Sequence, residues 1–394
     1  MASALLFGCS EQRDRQSEPK PGTLLADEPF SLVGDSGAFD DKAEAHYVRY
    51  ESTSGIDGAA VAVSGMVLVP KGRPQPPDGY RLVSYGHGAV GFDKSCGPTA
   101  TKSLGPSDAP RVAKLLAAGY VVAVADYQGL GAGSAGQKNG AHPFREPRTT
   151  GYNLVDAARA AKALLAKLGK AFSGKWAAYG ESQGGEAAWA AGNLAAGYGS
   201  GPDRDGLALV GVAAEKPPTD FAWLVDGAAA GTLSKADQLS YLRLLKGLQA
   251  AHPELSFAEY VRGPLAEQAS QDAVFGCFAQ GWDKVAAVAA RLSPADTKPT
   301  RQQADQLRAW LRGWTLPAAG ERGPSVPYFV AASLQDEVVP VGTVRAAVLH
   351  EQQRGTAVHA VITAGGKHGE FDDSDEAVAW VGDRFAGRPA PDDY

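Results

Sequence analysis

The sequence predicts an α/β protein: a mostly parallel central sheet flanked by helices, with a helical insertion between two late strands. Short apolar, β-branched runs alternate with longer stretches of helical spacing between residues 81 and 215. A long stretch that reads almost entirely as helix follows, and strand–helix rhythm resumes at residue 326. An insert placed between strands of one sheet belongs to that sheet's domain, so the organisation expected is a sheet domain over 29–216 and 317–394 carrying a helical cap over 217–316.

AHYVRYEST (45–53) and VAVSGMVLVP (61–70) alternate around SGIDGA and read as an antiparallel pair. RLVSYG (81–86) is a buried strand running into HGAVGF, and APRVAKLLAAG (109–119) is a helix with a glycine stop. YVVAVADY (120–127) is the next strand and breaks into QGLGAGSAG; residues 149–169 form a long helix with Ala and Leu on one face. KWAAYG (175–180) is a short strand followed at once by the helix QGGEAAWAAGNLAA, and LALVGVAAE (207–215) is another strand. Lys216-Pro217-Pro218 ends the alternation, and helices are expected over 221–231, 235–251, 256–269, 282–292 and 301–314. Strand 326–333, helix 343–355, strand 357–365 and helix 375–385 complete the chain.

Of 394 residues, 44% are hydrophobic and 21% charged, enough for a large core. The 38 basic and 44 acidic residues are spread without long like-charge blocks, which argues against nucleic acid as a partner. No apolar run approaches the roughly 20 residues that span a bilayer. Three dispersed cysteines, Cys9, Cys96 and Cys277, exclude a disulfide-dense scaffold and a Cys-rich zinc site, and no metal is expected. Residues 1–9 read MASALLFGC and then turn abruptly polar. Leu6-Phe7-Gly8-Cys9 resembles the end of a bacterial lipoprotein signal, which makes Cys9 a candidate lipidation site and the chain an exported bacterial protein, periplasmic, anchored to the outer membrane or secreted. An arbitrary leader is the competing reading. Either way, residues 1–28 are expected to lie outside the folded core.

Gly180-Glu181-Ser182-Gln183-Gly184 fits G-x-S-x-G between a strand and a helix. A hydroxyl held at so sharp a turn needs neighbours without side chains two residues either way, hence glycines at 180 and 184. Serine is a poor nucleophile until a base takes its proton. Of seven histidines, His368 alone sits in a loop between the last strand and last helix, where the chain order Ser…Asp/Glu…His puts the base. Asp336, in the loop after the preceding strand, is the acid expected to orient it. The oxyanion amides are expected from Gln183 and from the loop after 81–86, where Ala89 is assigned with Gly88 and Val90 as rivals. His87 reads as a loop-shaping residue and Asp126 as a structural acid.

SYGHGAVGFDKSCGPT, GYVVAVADYQGLGAG, GESQGGEAAW, the SLQDEVVP loop and His368 together resemble the secretory lipase family of α/β-hydrolases, the group of the Candida lipase A type and of bacterial esterases. The resemblance runs over residues 60–385. It implies the α/β-hydrolase fold with a helical cap, and carboxylic ester hydrolysis through an acyl-enzyme. It also implies no cofactor, and small-molecule or lipid esters as substrates. The charges that interrupt the insert's apolar residues depart from the pattern of a long-chain lipase. Members of the family use a cysteine at the position of Cys96; with export and a cap that must dock near the oxyanion loop, this implies a Cys96–Cys277 disulfide, although two distant cysteines are more often free and buried. An amidase or aminopeptidase on the same residues is the alternative within enzymes, with Glu254, Glu259 and Glu267 as candidate anchors for a substrate amine. A non-catalytic binding protein on this fold is the alternative from another class.

Overall fold

The computed structural model describes residues 20–33, 39, 41–134, 141–269, 272–280, 282–317 and 326–393. Nine strands form one sheet: β1 (Leu24–Pro29), β2 (Ala43–Thr53), β3 (Ala60–Pro70), β4 (Tyr80–Gly86), β5 (Val121–Ala125), β6 (Phe172–Glu181), β7 (Ala208–Glu215), β8 (Tyr328–Ser333) and β9 (Val358–Thr363). Their order across the sheet is β1-β2-β3-β5-β4-β6-β7-β8-β9. From β5 to β9 every pairing is parallel, whereas β1, β2 and β3 form an antiparallel edge joined to β5. The parallel strands β5 and β8 are buried along their whole length, which is why they read as unbroken apolar runs.

The flanking helices are α1 (Asp108–Ala117), α2 (Pro147–Lys167), α3 (Gln183–Leu194), α8 (Val341–Gln353) and α9 (Ser374–Phe385). Two apolar clusters fill the spaces between helices and sheet, one beneath α2, α3 and α8, the other beneath α1 and α9. Between β7 and β8 lies the helical insert, whose longer helices are α4 (Ala222–Ala230), α5 (Lys235–Ala251), α6 (Trp282–Arg291) and α7 (Arg301–Leu311). It has an apolar cluster of its own, from Phe221 to Trp314.

Two local differences from the sequence expectation have clear causes. The leader expected over 1–28 overlaps the sheet, because β1 pairs with β2 in the register Ala26↔Arg49 to Pro29↔His46. Its side chains are largely exposed, so this edge strand lacks the apolar alternation by which strands are recognised. Cys9 lies outside the described residues. The single helix expected over 256–269 is two, Phe257–Tyr260 and Gly263–Gln268. Pro264 cannot donate to the carbonyl of Tyr260, so the helix stops and restarts with proline in its first turn.

Candidate active site

Ser182 stands between β6 and α3 with φ 54° and ψ −121°, a conformation that non-glycine residues seldom adopt. The turn is held because there is no room for it to relax. A Cβ on Gly180 would come within 2.2 Å of the Gly184 carbonyl oxygen, and one on Gly184 within 1.8 Å of the Gly86 carbonyl oxygen. The Ser182 amide donates to the Glu215 carbonyl on β7 (2.9 Å). Beneath the turn, Glu215 receives a two-point bond from Arg111 (Nε to Oε1 3.0 Å, Nη2 to Oε2 2.6 Å) and a further bond from the Tyr179 hydroxyl. A buried ion pair this fully satisfied fixes the floor of the site.

Ser182, Asp336 and His368, which follow β6, β8 and β9, come together at the carboxyl ends of the strands. The Ser182 hydroxyl lies 3.0 Å from His368 Nε2, and His368 Nδ1 lies 2.7 Å from Asp336 Oδ2. The other oxygen of Asp336 accepts from the amides of Val338 (2.9 Å) and Val339 (2.8 Å), which locks the carboxylate's orientation. Glu337, the neighbouring acid, accepts from the His368 amide (3.0 Å). The His368 carbonyl accepts from Lys216 Nζ (2.8 Å). Lys216 is buried with φ 49° and pairs with Glu181 (3.1 Å). The loop carrying His368 is therefore pinned at its own amide and carbonyl by side chains from two different strand ends.

The loop after β4 is held as firmly. The Gly88 amide donates to Asp108 Oδ1 (3.1 Å), which also accepts from the Tyr85 hydroxyl (2.9 Å). No protein group accepts from the Ala89, Val90 or Gln183 amides among the described residues. His87 is fully buried, with both ring nitrogens against carbonyls, those of Gly88 (2.6 Å) and Asp126 (3.2 Å). Asp126 accepts from the Thr99 amide (2.9 Å) and the Ser64 hydroxyl (2.5 Å) and serves this loop structurally. Burial, reinforced by the charge of Glu181, pushes the Asp108 carboxyl up to about 6.

His142 is the neighbour that sequence reasoning missed. Its Nδ1 donates to the Gln128 carbonyl (2.9 Å), which leaves Nε2 to accept from the Gln183 side-chain amide (2.8 Å). Burial lowers the His142 pKa to about 3, so the ring is neutral and holds the residue after Ser182 in place. Nothing local in the sequence singles it out, since it follows a glycine-rich loop and no motif contains it.

A cavity of about 860 Å³ opens over Ser182 and His368, bounded by Ala89 and Val90 on one side and by Phe221, Trp223, Leu224 and Phe278 of the insert. The insert is fastened to the loop beside Ser182 by a disulfide between Cys96 and Cys277 (Cα–Cα 5.1 Å), as the resemblance implied. Backbone bonds from Phe92 to the Phe275 carbonyl (3.2 Å) and from Phe278 to the Val90 carbonyl (2.9 Å) flank it. Glu254, Glu259 and Glu267 do not line the cavity; Glu254 faces His252, and Glu267 pairs with Arg291 (2.8 Å). No helix among the described residues is long and apolar enough to cross a membrane.

Comparison with known proteins agrees with this architecture. No curated protein sequence matches the chain significantly. Among solved structures, Candida antarctica lipase A in its closed state superposes with a TM-score of 0.73 at 19% identity, over 95% of this chain and 84% of that one. The rice cell wall degrading esterase LipA of Xanthomonas oryzae gives 0.71 at 21% identity, over 94% of this chain and 100% of that one. A hydrolase of Legionella pneumophila described only as putative gives 0.70 at 17%, over 93% and 99%. At these identities the likeness is one of fold. The family is set by sequence: the secretory lipase model matches residues 100–393, a span holding Ser182, Asp336 and His368, and the chain belongs to the secretory lipase family.

Proposed function

We propose that the protein is a serine carboxylic-ester hydrolase working through an acyl-enzyme. The observation that carries the reading is the continuous chain Ser182 Oγ–His368 Nε2–His368 Nδ1–Asp336 at 3.0 and 2.7 Å, opening on the large, mostly apolar cavity. His368 takes the serine proton as Oγ attacks the ester carbonyl, and Asp336 holds the imidazole with Nδ1–H toward itself and stabilises the cation that forms. The oxyanion enters between the Gln183 amide, at the positive end of α3, and the Ala89 amide. Gly88 is the weaker candidate because Asp108 already engages its amide. His368 then protonates the leaving alcohol, and water admitted in its place is activated by the same ring to release the acid.

The insert over 217–316 acts as the cap that shapes the substrate pocket. Family membership and the disulfide point to an exported protein; lipid attachment at Cys9 remains part of this proposal. The peptidase reading draws no support from the site, because none of its candidate anchors lines the cavity.

Labelling with a fluorophosphonate tests the assignment. The adduct is expected at Ser182, and an unlabelled Ser182 in folded protein would end the hydrolase reading. Esters of graded chain length set against aminoacyl-anilides then separate ester from amide chemistry.

A further inference from the structure

The cavity over Ser182 is mostly apolar, yet two arginines line it: Arg145, just before α2, and Arg243, on α5 of the insert. Neither is spent on an ordinary surface ion pair. The Arg145 guanidinium lies 4.7 Å from the Phe144 ring centre and 5.6 Å from that of Phe221. Its nearest carboxylate oxygen belongs to Glu186, at 3.6 Å, and neither oxygen of Glu186 takes a hydrogen bond. Burial raises the Glu186 carboxyl against the opposing pull of the Arg145 guanidinium, which weakens its hold on that cation.

Arg243 stacks on Phe278, 4.0 Å from the ring centre. Its Nε donates to the Val274 carbonyl over 3.4 Å, and its two terminal nitrogens have no protein acceptor among the described residues. Burial and the charge of Arg145 lower its pKa to about 10, which still leaves it cationic. The carboxylates reaching the same cavity are engaged elsewhere: Asp108 with Tyr85 and Gly88, Glu181 with Lys216, and Asp220 with the Ala222 amide (2.8 Å). Two guanidiniums stacked on aromatic rings in a mostly apolar pocket whose carboxylates are engaged elsewhere, one with a free planar fork, form a receptor for a carboxylate.

Topology says which part of the substrate reaches them. Ser182 follows β6; Arg145 belongs to the connection after β5, on one side of it in the sheet, while Asp336 and His368 follow β8 and β9 on the other. Because His368 must protonate the leaving alcohol, the alcohol lies on the β8–β9 side and the acyl chain extends toward the arginines.

Resting on the esterase reading, we propose that the preferred substrates are esters whose acyl chain carries a terminal carboxylate, held by the Arg243 fork with Arg145 behind it. The test pairs umbelliferyl esters of hexanoic, octanoic and decanoic acids with the corresponding hemiesters of adipic, suberic and sebacic acids. For at least one length, kcat/KM for the hemiester should exceed that for the neutral ester by roughly tenfold, the worth of one charge-assisted contact. Arg243→Met should abolish that ratio, and Arg243→Lys should keep part of it. A ratio at or below one at every length, or one unchanged by Arg243→Met, overturns the proposal. So does a stronger preference for octanoyl esters whose charge sits on the alcohol. Calorimetry on Ser182→Ala with suberate and its neutral diamide reads the anion site without turnover: suberate must bind more tightly, and equal binding overturns the site. Failure to hydrolyse any ester, with suberate still bound, would instead overturn the esterase reading.

Discussion

Ser182 holds a strained backbone at positive φ, and its oxygen is the group on which the proposed chemistry converges. Ser182→Ala should lower kcat by roughly six orders of magnitude with unchanged thermal stability, since the three side chains act as one unit. Esterase assays beside melting curves check this, and retention of more than a few per cent of activity would place the nucleophile elsewhere. His142 acts at one remove. His142→Ala frees the Gln183 side chain and should lower kcat by roughly tenfold or more, with KM for a short neutral ester little changed, because the proposed oxyanion amide of Gln183 is needed only in the transition state. A KM effect alone would make His142 a packing residue. Asp108 carries a different signature. Its carboxyl is raised from 3.8 to about 6, so the folded state binds the proton more tightly than the unfolded chain. That contribution is complete below the unfolded value and is lost as pH rises through the folded one. Asp108→Asn should therefore gain stability relative to the native chain between about pH 4 and about pH 8, by up to about 3 kcal/mol. Denaturant midpoints at the two ends check the sign.

At the scale of elements, two strand ends and one loop are cross-braced by a single buried cation. Lys216, immediately after β7, pairs with Glu181 at the end of β6 and donates to the His368 carbonyl after β9. Lys216→Met leaves Glu181 buried without its partner and should cost about 3–5 kcal/mol, together with activity, because the loop carrying His368 loses its tether. Adding Glu181→Gln should restore much of the stability but not the activity. Full recovery of both would mean that the ammonium only neutralises Glu181. The acid loops follow similar logic: Asp336 is oriented by amides two and three residues ahead in its own turn, so that part of the geometry was local.

Over the whole molecule, the sheet and the insert have separate apolar cores, and the disulfide links them across 181 residues of sequence. In the chain-entropy account, closing so long a loop is worth about 5 kcal/mol, less whatever structure the reduced unfolded chain retains. The paired substitution of Cys96 and Cys277 by serine should lower the melting temperature and loosen chain-length selectivity, since the insert would then dock on the loop beside Ser182 through aromatic and backbone contacts alone. Thiol counting in denaturant should find one reactive thiol, Cys9, of three cysteines in chains without the lipid, and none in chains that carry it. Three would mean that the bridge does not form.

The sequence by itself determined the alternating α/β order, the helical insert between two late strands, and the stations of Ser182, Asp336 and His368 along the chain. These rest on local physics: apolar runs of strand length, helical spacing, and glycines without which a turn as sharp as 180–184 cannot close. Tertiary structure alone decided the rest. It added β1, whose exposed edge position removes the apolar alternation that marks a strand. It brought His142 to Gln183 across 41 residues and Lys216 to His368 across 152, and it set two arginines from different layers against one cavity. Such contacts leave no pattern along the chain, because what defines them is which elements pack together, and packing depends on residues far apart in sequence.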